Sequence, residues 1–89
     1  MTNLPLANLK ILEISTGEPA AFCAGQLGDL GAEILRIELP GRTPDYPQQV
    51  WEMANRNKKS IFLNPQSPGD MEVFESILQT CDVLLEDQL

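Results

Sequence analysis

The chain has no histidine, two cysteines, one tryptophan, and six basic residues against thirteen acidic ones. Each shortage excludes something. Without histidine there is no Ser–His or Cys–His nucleophilic pair and no ordinary zinc centre. Cys23 and Cys81 lie far apart, which is neither a disulfide framework nor a metal-ligand spacing. A net charge of −7 makes nucleic acid or an anionic membrane a poor partner, because both need a basic footprint. No apolar run approaches the roughly 20 residues of a membrane span, and MTNLPLANLK lacks the apolar core of a signal peptide. Cytoplasm is the expected location. A GxGxxG fingerprint and a GxxxxGK phosphate loop are both missing. Glu38 alone, at the end of an apolar run, is weak support for a dinucleotide-binding carboxylate.

What is present is a strand–helix–strand pattern over residues 8–41. LKILEI is a short apolar run interrupted only by Lys10 and Glu13, long enough for a strand. STGEP follows as a turn, with Pro19 suited to a first helical turn. From Ala20 the spacing predicts a helix whose apolar face carries Ala20, Cys23, Ala24, Leu27 and Leu30, with Gly31 as a left-handed stop. Gly25 and Gly28 weaken that helix by about 1 kcal/mol each against alanine, which points to close packing of the helix against a neighbour. EILRIEL reads as the second strand, ended by Pro40-Gly41, and the two strands should be parallel with a right-handed crossover.

The second half repeats the pattern. Residues 40–57 form a proline-rich connection in which VWEMANRNKK makes one or two helical turns, Trp51 and Ala54 inward. SIFLN is strand three. Ser67 caps a helix with Pro68 in its first turn, Asp70 near its positive end, and Met71, Phe74, Ile77 and Leu78 on the buried face. Asp82–Glu86 is strand four. The fold class is therefore α/β: a parallel, Rossmann-like β-α-β-β-α-β unit, one partial domain over residues 1–89. A chain this small buries only roughly 60–65% of its extended surface. A parallel sheet also needs helices on both faces, so the unit is expected to be the opening half of a larger domain.

In an open parallel sheet, ligands bind beyond the carboxyl ends of the strands. Residues 15–19, 39–42, 64–66 and 86–88 fall there. Glu18 places a negative charge where a phosphate-cradling loop wants backbone amides alone. Ser15, Ser60 and Ser67 have no base nearby and are explained by a turn, a strand edge and a cap. Glu86-Asp87 suits either a site or a solvated loop. Arg56, Lys58 and Lys59 concentrate positive charge in an acidic chain, suited equally to a phosphate and to pairing with surface carboxylates.

Taken in order, LKILEIS, LGDLGAEILRIELPG, NRNKKSIFLN and CDVLLED resemble the amino-terminal region of the family III CoA transferases, the group of formyl-CoA transferase, carnitine CoA-transferase and α-methylacyl-CoA racemase. The matching positions are Leu27, Gly31, Ala32, Ile34, Ile37, Glu38, Pro40 and Gly41, then Asn55, Lys58 and Ser60, then Asp82, Val83, Leu84 and Glu86. The resemblance implies a Rossmann-like large domain in a much longer chain, two copies of which interlock as a homodimer. It implies CoA or acyl-CoA as ligand and an aspartate nucleophile that forms a mixed anhydride and then an aspartyl-CoA thioester. No residue of this chain matches that aspartate, so residues 1–89 alone are expected to be inactive. By position, Gly17, Glu18, Leu39, Leu63, Asn64 and Asp87 would lie near the cofactor, with Gln66 and Gln88 beside them. The departures from the pattern fall there too. Ala20-Ala21 replaces Gly-Pro, Leu39 stands where arginine is frequent, and Asp87 replaces asparagine. Glu18 and Asp87 add negative charge where a polyanion should approach. The alternative expectation is thus a catalytically inactive binding or structural module derived from the same domain, partnered by further polypeptide or a second copy.

Overall fold

The computed structural model describes residues 4–88. The elements run β1 (Lys10–Ile14), α1 (Glu18–Asp29), β2 (Glu33–Glu38), α2 (Gln48–Ala54), β3 (Lys59–Phe62), α3 (Pro68–Thr80) and β4 (Val83–Glu86). All strand pairings are parallel, in the order β3-β2-β1-β4. This is the Rossmann-like α/β arrangement expected from the spacing of apolar runs. The chain moves outward from β1 through β2 to β3, then crosses back through α3 to place β4 on the other side of β1. The order reverses between β1 and β4, which makes their carboxyl ends a topological switch point.

Adjacent strand residues point to opposite faces. Ile11, Ala24, Ala32 and Ile34 form one core beneath α1, and Leu12, Ile37 and Leu63 form the other, covered by Phe74 and Ile77 of α3. The β1–β2 register sets Glu13 opposite Arg36, so these two opposite charges share the α1 side.

Two local expectations need correction. α1 starts at Glu18, and its inward residues are Ala21, Ala24 and Gly25, while Cys23 and Leu30 are exposed. Ala24 packs on Ile11 and Ile34 of the sheet, and α2 lies directly on Gly25, where a Cβ would stand 2.6 Å from the Ala54 carbonyl oxygen. Within residues 40–57 the one or two helical turns expected there are present as α2, starting at Gln48. In α3, Phe74 and Ile77 are only half-buried, and Met71 and Leu78 are exposed. Among the described residues no further layer covers that flank.

The remaining punctuation behaves as its chemistry dictates. Gly31 adopts φ +109°, and a Cβ there would meet Leu4 at 2.6 Å, so only glycine fits the α1 exit. The Ser67 hydroxyl accepts the Asp70 N–H at 3.3 Å, and Pro68 opens the helix. Asp82 lies just outside β4 yet extends the pairing: it donates its N–H to the Lys10 carbonyl at 2.8 Å, and its carboxylate accepts the Lys10 N–H at 2.9 Å. No helix among the described residues is long and apolar enough to cross a membrane.

Candidate functional site

Beyond the carboxyl ends of β1, β2 and β3 lies an open groove of about 560 Å³. Its walls are apolar: Ile14, Ile37, Leu39 and Leu63 from the strand ends, and Met71 and Phe74 from α3. A small, shallow polar corner adjoins it, formed by Ser15, Thr16, Arg36, Glu38, Arg42 and Gln88. An apolar channel that ends among a few convergent polar groups is the usual character of a small-molecule site.

The β1–α1 turn and β4 are tied together at the switch point. The Asp87 carboxylate accepts the N–H groups of Thr16 at 3.1 Å and Gly17 at 2.9 Å. α1 has no side-chain cap of its own; Asp87, just past β4, instead fixes the turn that leads into it, at Thr16 and the N-cap residue Gly17. Partial burial of Asp87 opposes its ionisation, but the Gly17, Gln88 and Thr16 hydrogen bonds together outweigh it and hold the carboxyl below its ordinary 3.8. Gln88 continues the strap: its amide nitrogen reaches the Thr16 hydroxyl at 3.4 Å, and its amide oxygen accepts from Arg42.

Behind this turn sits a buried charge cluster that composition gave no hint of. Glu13 is fully buried, and the Lys58 ammonium lies 2.8 Å from it with only 2% of its side chain exposed. The Ser15 hydroxyl donates to Glu13 at 2.5 Å. Arg36 approaches Glu13 at 3.9 Å and Glu38 at 3.5 Å, and donates to the Ser15 carbonyl at 3.2 Å. Lys58 also donates to the Ala21 carbonyl at 3.0 Å and the Asn55 side chain at 2.7 Å, tying β3's leading edge to the first turn of α1. Burial pushes the Lys58 ammonium below its ordinary 10.5, outweighing the hydrogen bond and charge of Glu13, and the Arg36 charge adds to the fall.

The NRNKKS stretch therefore meets carboxylates: Arg56 pairs with Asp29, Lys58 with Glu13, and Lys59 approaches Glu33 at 4.0 Å. Of the residues singled out from sequence, Leu39 and Leu63 line the groove and Gly17 and Asp87 meet at the switch point. Glu18 is exposed at the start of α1 and lines neither hollow. Asn64 is used locally: its N–H goes to Asp70 at 2.8 Å and its side chain accepts the Gln66 N–H at 2.9 Å. Thr16, Arg36, Arg42 and Phe74 were not singled out as site residues, whereas Gln88 was expected beside the cofactor and lines both hollows. Only the strand-end rule pointed to Thr16 and Arg42, and nothing local marked Arg36 or Phe74. Among the described residues no cluster of His, Cys, Asp and Glu could hold a metal ion.

The chain is 34% identical over 96 residues to the succinyl-CoA–L-malate CoA-transferase beta subunit of Chloroflexus aurantiacus, covering 97% of this chain and 24% of that protein. It is 33% identical over 100 residues to human succinyl-CoA:glutarate CoA-transferase, covering 98% of this chain and 22% of the relative. Against formyl-CoA:oxalate CoA-transferase of Escherichia coli the identity is 30% over 93 residues, covering 93% and 22%. The chain thus spans about a quarter or less of the length of the curated relatives it matches. The family model for CoA-transferase family III matches residues 6–88, from the approach to β1 to the strap at Gln88, and the chain belongs to that family.

Proposed function

We propose that this chain is the cofactor-side, amino-terminal portion of a CoA transferase that moves CoA from an acyl-CoA thioester to a carboxylic acid. One observation carries the reading beyond family membership: an apolar groove with a polar corner lies beyond the strand ends, at the switch point of the sheet. The groove suits an extended, mostly apolar arm, and the polar corner suits its charged end. An aspartate from outside residues 1–89 attacks the thioester carbonyl, expelling the CoA thiolate and forming a mixed anhydride. The thiolate then attacks the aspartyl carbonyl, releasing the first acid, and the acceptor carboxylate takes CoA by the reverse steps. Residues of this chain hold and orient the cofactor and take no covalent part. Further polypeptide, or a second copy in a homodimer, covers the exposed Phe62 and Leu84. The cytoplasm is the proposed location, in keeping with the free thiols of Cys23 and Cys81.

A second reading, a binding or structural module without turnover, is favoured by Asp87. Its carboxylate already occupies the Thr16 and Gly17 amides and fixes negative charge at the rim. Both are tested on the native polypeptide with an acyl-CoA donor, a free carboxylic acid acceptor and hydroxylamine to trap activated aspartate. CoA transfer with an aspartyl hydroxamate outside residues 1–89 is the expected result. Absence of transfer with donors and acceptors across the family's acids would overturn the transferase and leave the module.

A further inference from the structure

We propose that Arg42 anchors the phosphate groups of the cofactor's nucleotide half, at the polar end of the groove whose apolar length takes the pantetheine arm. This rests on the CoA reading above and names the residue that meets the charge. The local sequence builds the position. Pro40-Gly41 makes a turn in which the Arg42 N–H returns to the Leu39 carbonyl at 3.3 Å, with Gly41 at φ +71°, so the chain doubles back over the strand ends. The Asp45 N–H then donates to the Thr16 carbonyl at 2.7 Å, pinning the loop across the exit of β1. Arg42 consequently lines both the apolar groove and the polar corner.

The charges of the neighbouring cations are already matched. Arg36 faces Glu13 and Glu38, Lys58 faces Glu13, Lys59 faces Glu33 and Arg56 faces Asp29. Lys10 stands at the opposite, amino end of β1. Arg42 instead bonds to the neutral amide oxygen of Gln88, and among the described residues it forms no ion pair. A phosphate would replace a neutral acceptor by a charged, bidentate one, which is the stronger bond for a guanidinium. The Gln88 amide nitrogen keeps its bonds to Thr16 and Asp87, which do not involve the oxygen that Arg42 would release.

Calorimetric titration of the native polypeptide with CoA, dephospho-CoA and pantetheine tests this, comparing wild type with Arg42→Gln and, as an equal change of net charge far from the site, Lys10→Gln. Arg42→Gln should weaken CoA about ten-fold, leave pantetheine unchanged, and be matched by no loss in Lys10→Gln. A loss confined to CoA assigns the 3′-phosphate, and a loss shared with dephospho-CoA assigns the diphosphate. Equal CoA affinity in wild type and Arg42→Gln overturns the role of Arg42 while leaving the CoA reading standing. An equal loss for pantetheine, or for Lys10→Gln, overturns it too. A wild type that binds no CoA removes both the reading and the anchor.

Discussion

Replacing Lys58 by methionine tests whether the buried cluster is a matched set or a collection of separate contacts. At 2.8 Å the Lys58–Glu13 attraction is about 6 kcal/mol at an effective dielectric constant of about 20. Desolvation of two buried charges cancels most of that, and the lowered Lys58 value shows burial outweighing its partner. Removing one member is different from removing both, because Glu13 is then left buried with its charge. Breaking a buried pair in this way costs roughly 3–5 kcal/mol. Arg36 remains 3.9 Å from Glu13, so Lys58→Met should fall at the lower end, about 3 kcal/mol. Hydrogen exchange of the β1 amides in the native polypeptide reads this directly, as exchange about 100-fold faster. The double variant Glu13→Gln/Lys58→Met removes both charges and should recover most of the loss. Exchange within three-fold of wild type in Lys58→Met would refute the reasoning. So would a double variant as unstable as the sum of its singles.

Two more outcomes follow from distances on the page. Gly25→Ala gains helix propensity of about 1 kcal/mol but drives a Cβ to 2.6 Å from a backbone carbonyl of α2, so it should destabilise by roughly 1–2 kcal/mol. Gly28→Ala meets only the Ile34 side chain at 3.3 Å and should be clearly the milder change in the same denaturation assay. Asp87 is held below 3.8, so its contribution is complete above that pH and is lost as pH falls through its folded value. Asp87→Ala should flatten that acid limb of stability and cost about 1 kcal/mol at pH 7, the usual net worth of such hydrogen bonds. A variant with an unchanged acid limb would contradict the assigned hydrogen bonds. Lys58 has the opposite pH window. The unfolded chain binds more protons than the folded one between the folded value and 10.5, so stability should rise with pH there, a slope absent from Lys58→Met.

Much of the fold was legible because it depends on local rules. Apolar runs of strand length, Pro19 and Pro68 at helix starts, Ser67 as a cap and Gly31 as a stop each act within a few residues. The inward face of α1 was misassigned for a physical reason. Ala24 and Leu27 do meet the core as expected, but hydropathy also favoured Cys23 and Leu30, whereas the close approach of α2 turns Gly25 inward. α3 was read as more buried than it is, since periodicity shows which side faces a neighbour but not how much neighbour there is.

Periodicity and turn chemistry were enough to establish parallel strands, their connections and the edge of the sheet where a ligand belongs. These are properties of short stretches and survive without knowledge of distant contacts. The sheet order decided the rest. Placing β1 between β2 and β4 brings Glu13 to Arg36 and Lys58, and Thr16 to Asp87 and Gln88. Whether a charge in the chain is solvated, paired in the interior or left to meet a ligand depends on those long-range neighbours. That is why Lys58, in a run of surface-like residues, is a core group, while Arg42, after an ordinary Pro-Gly turn, stands at the site.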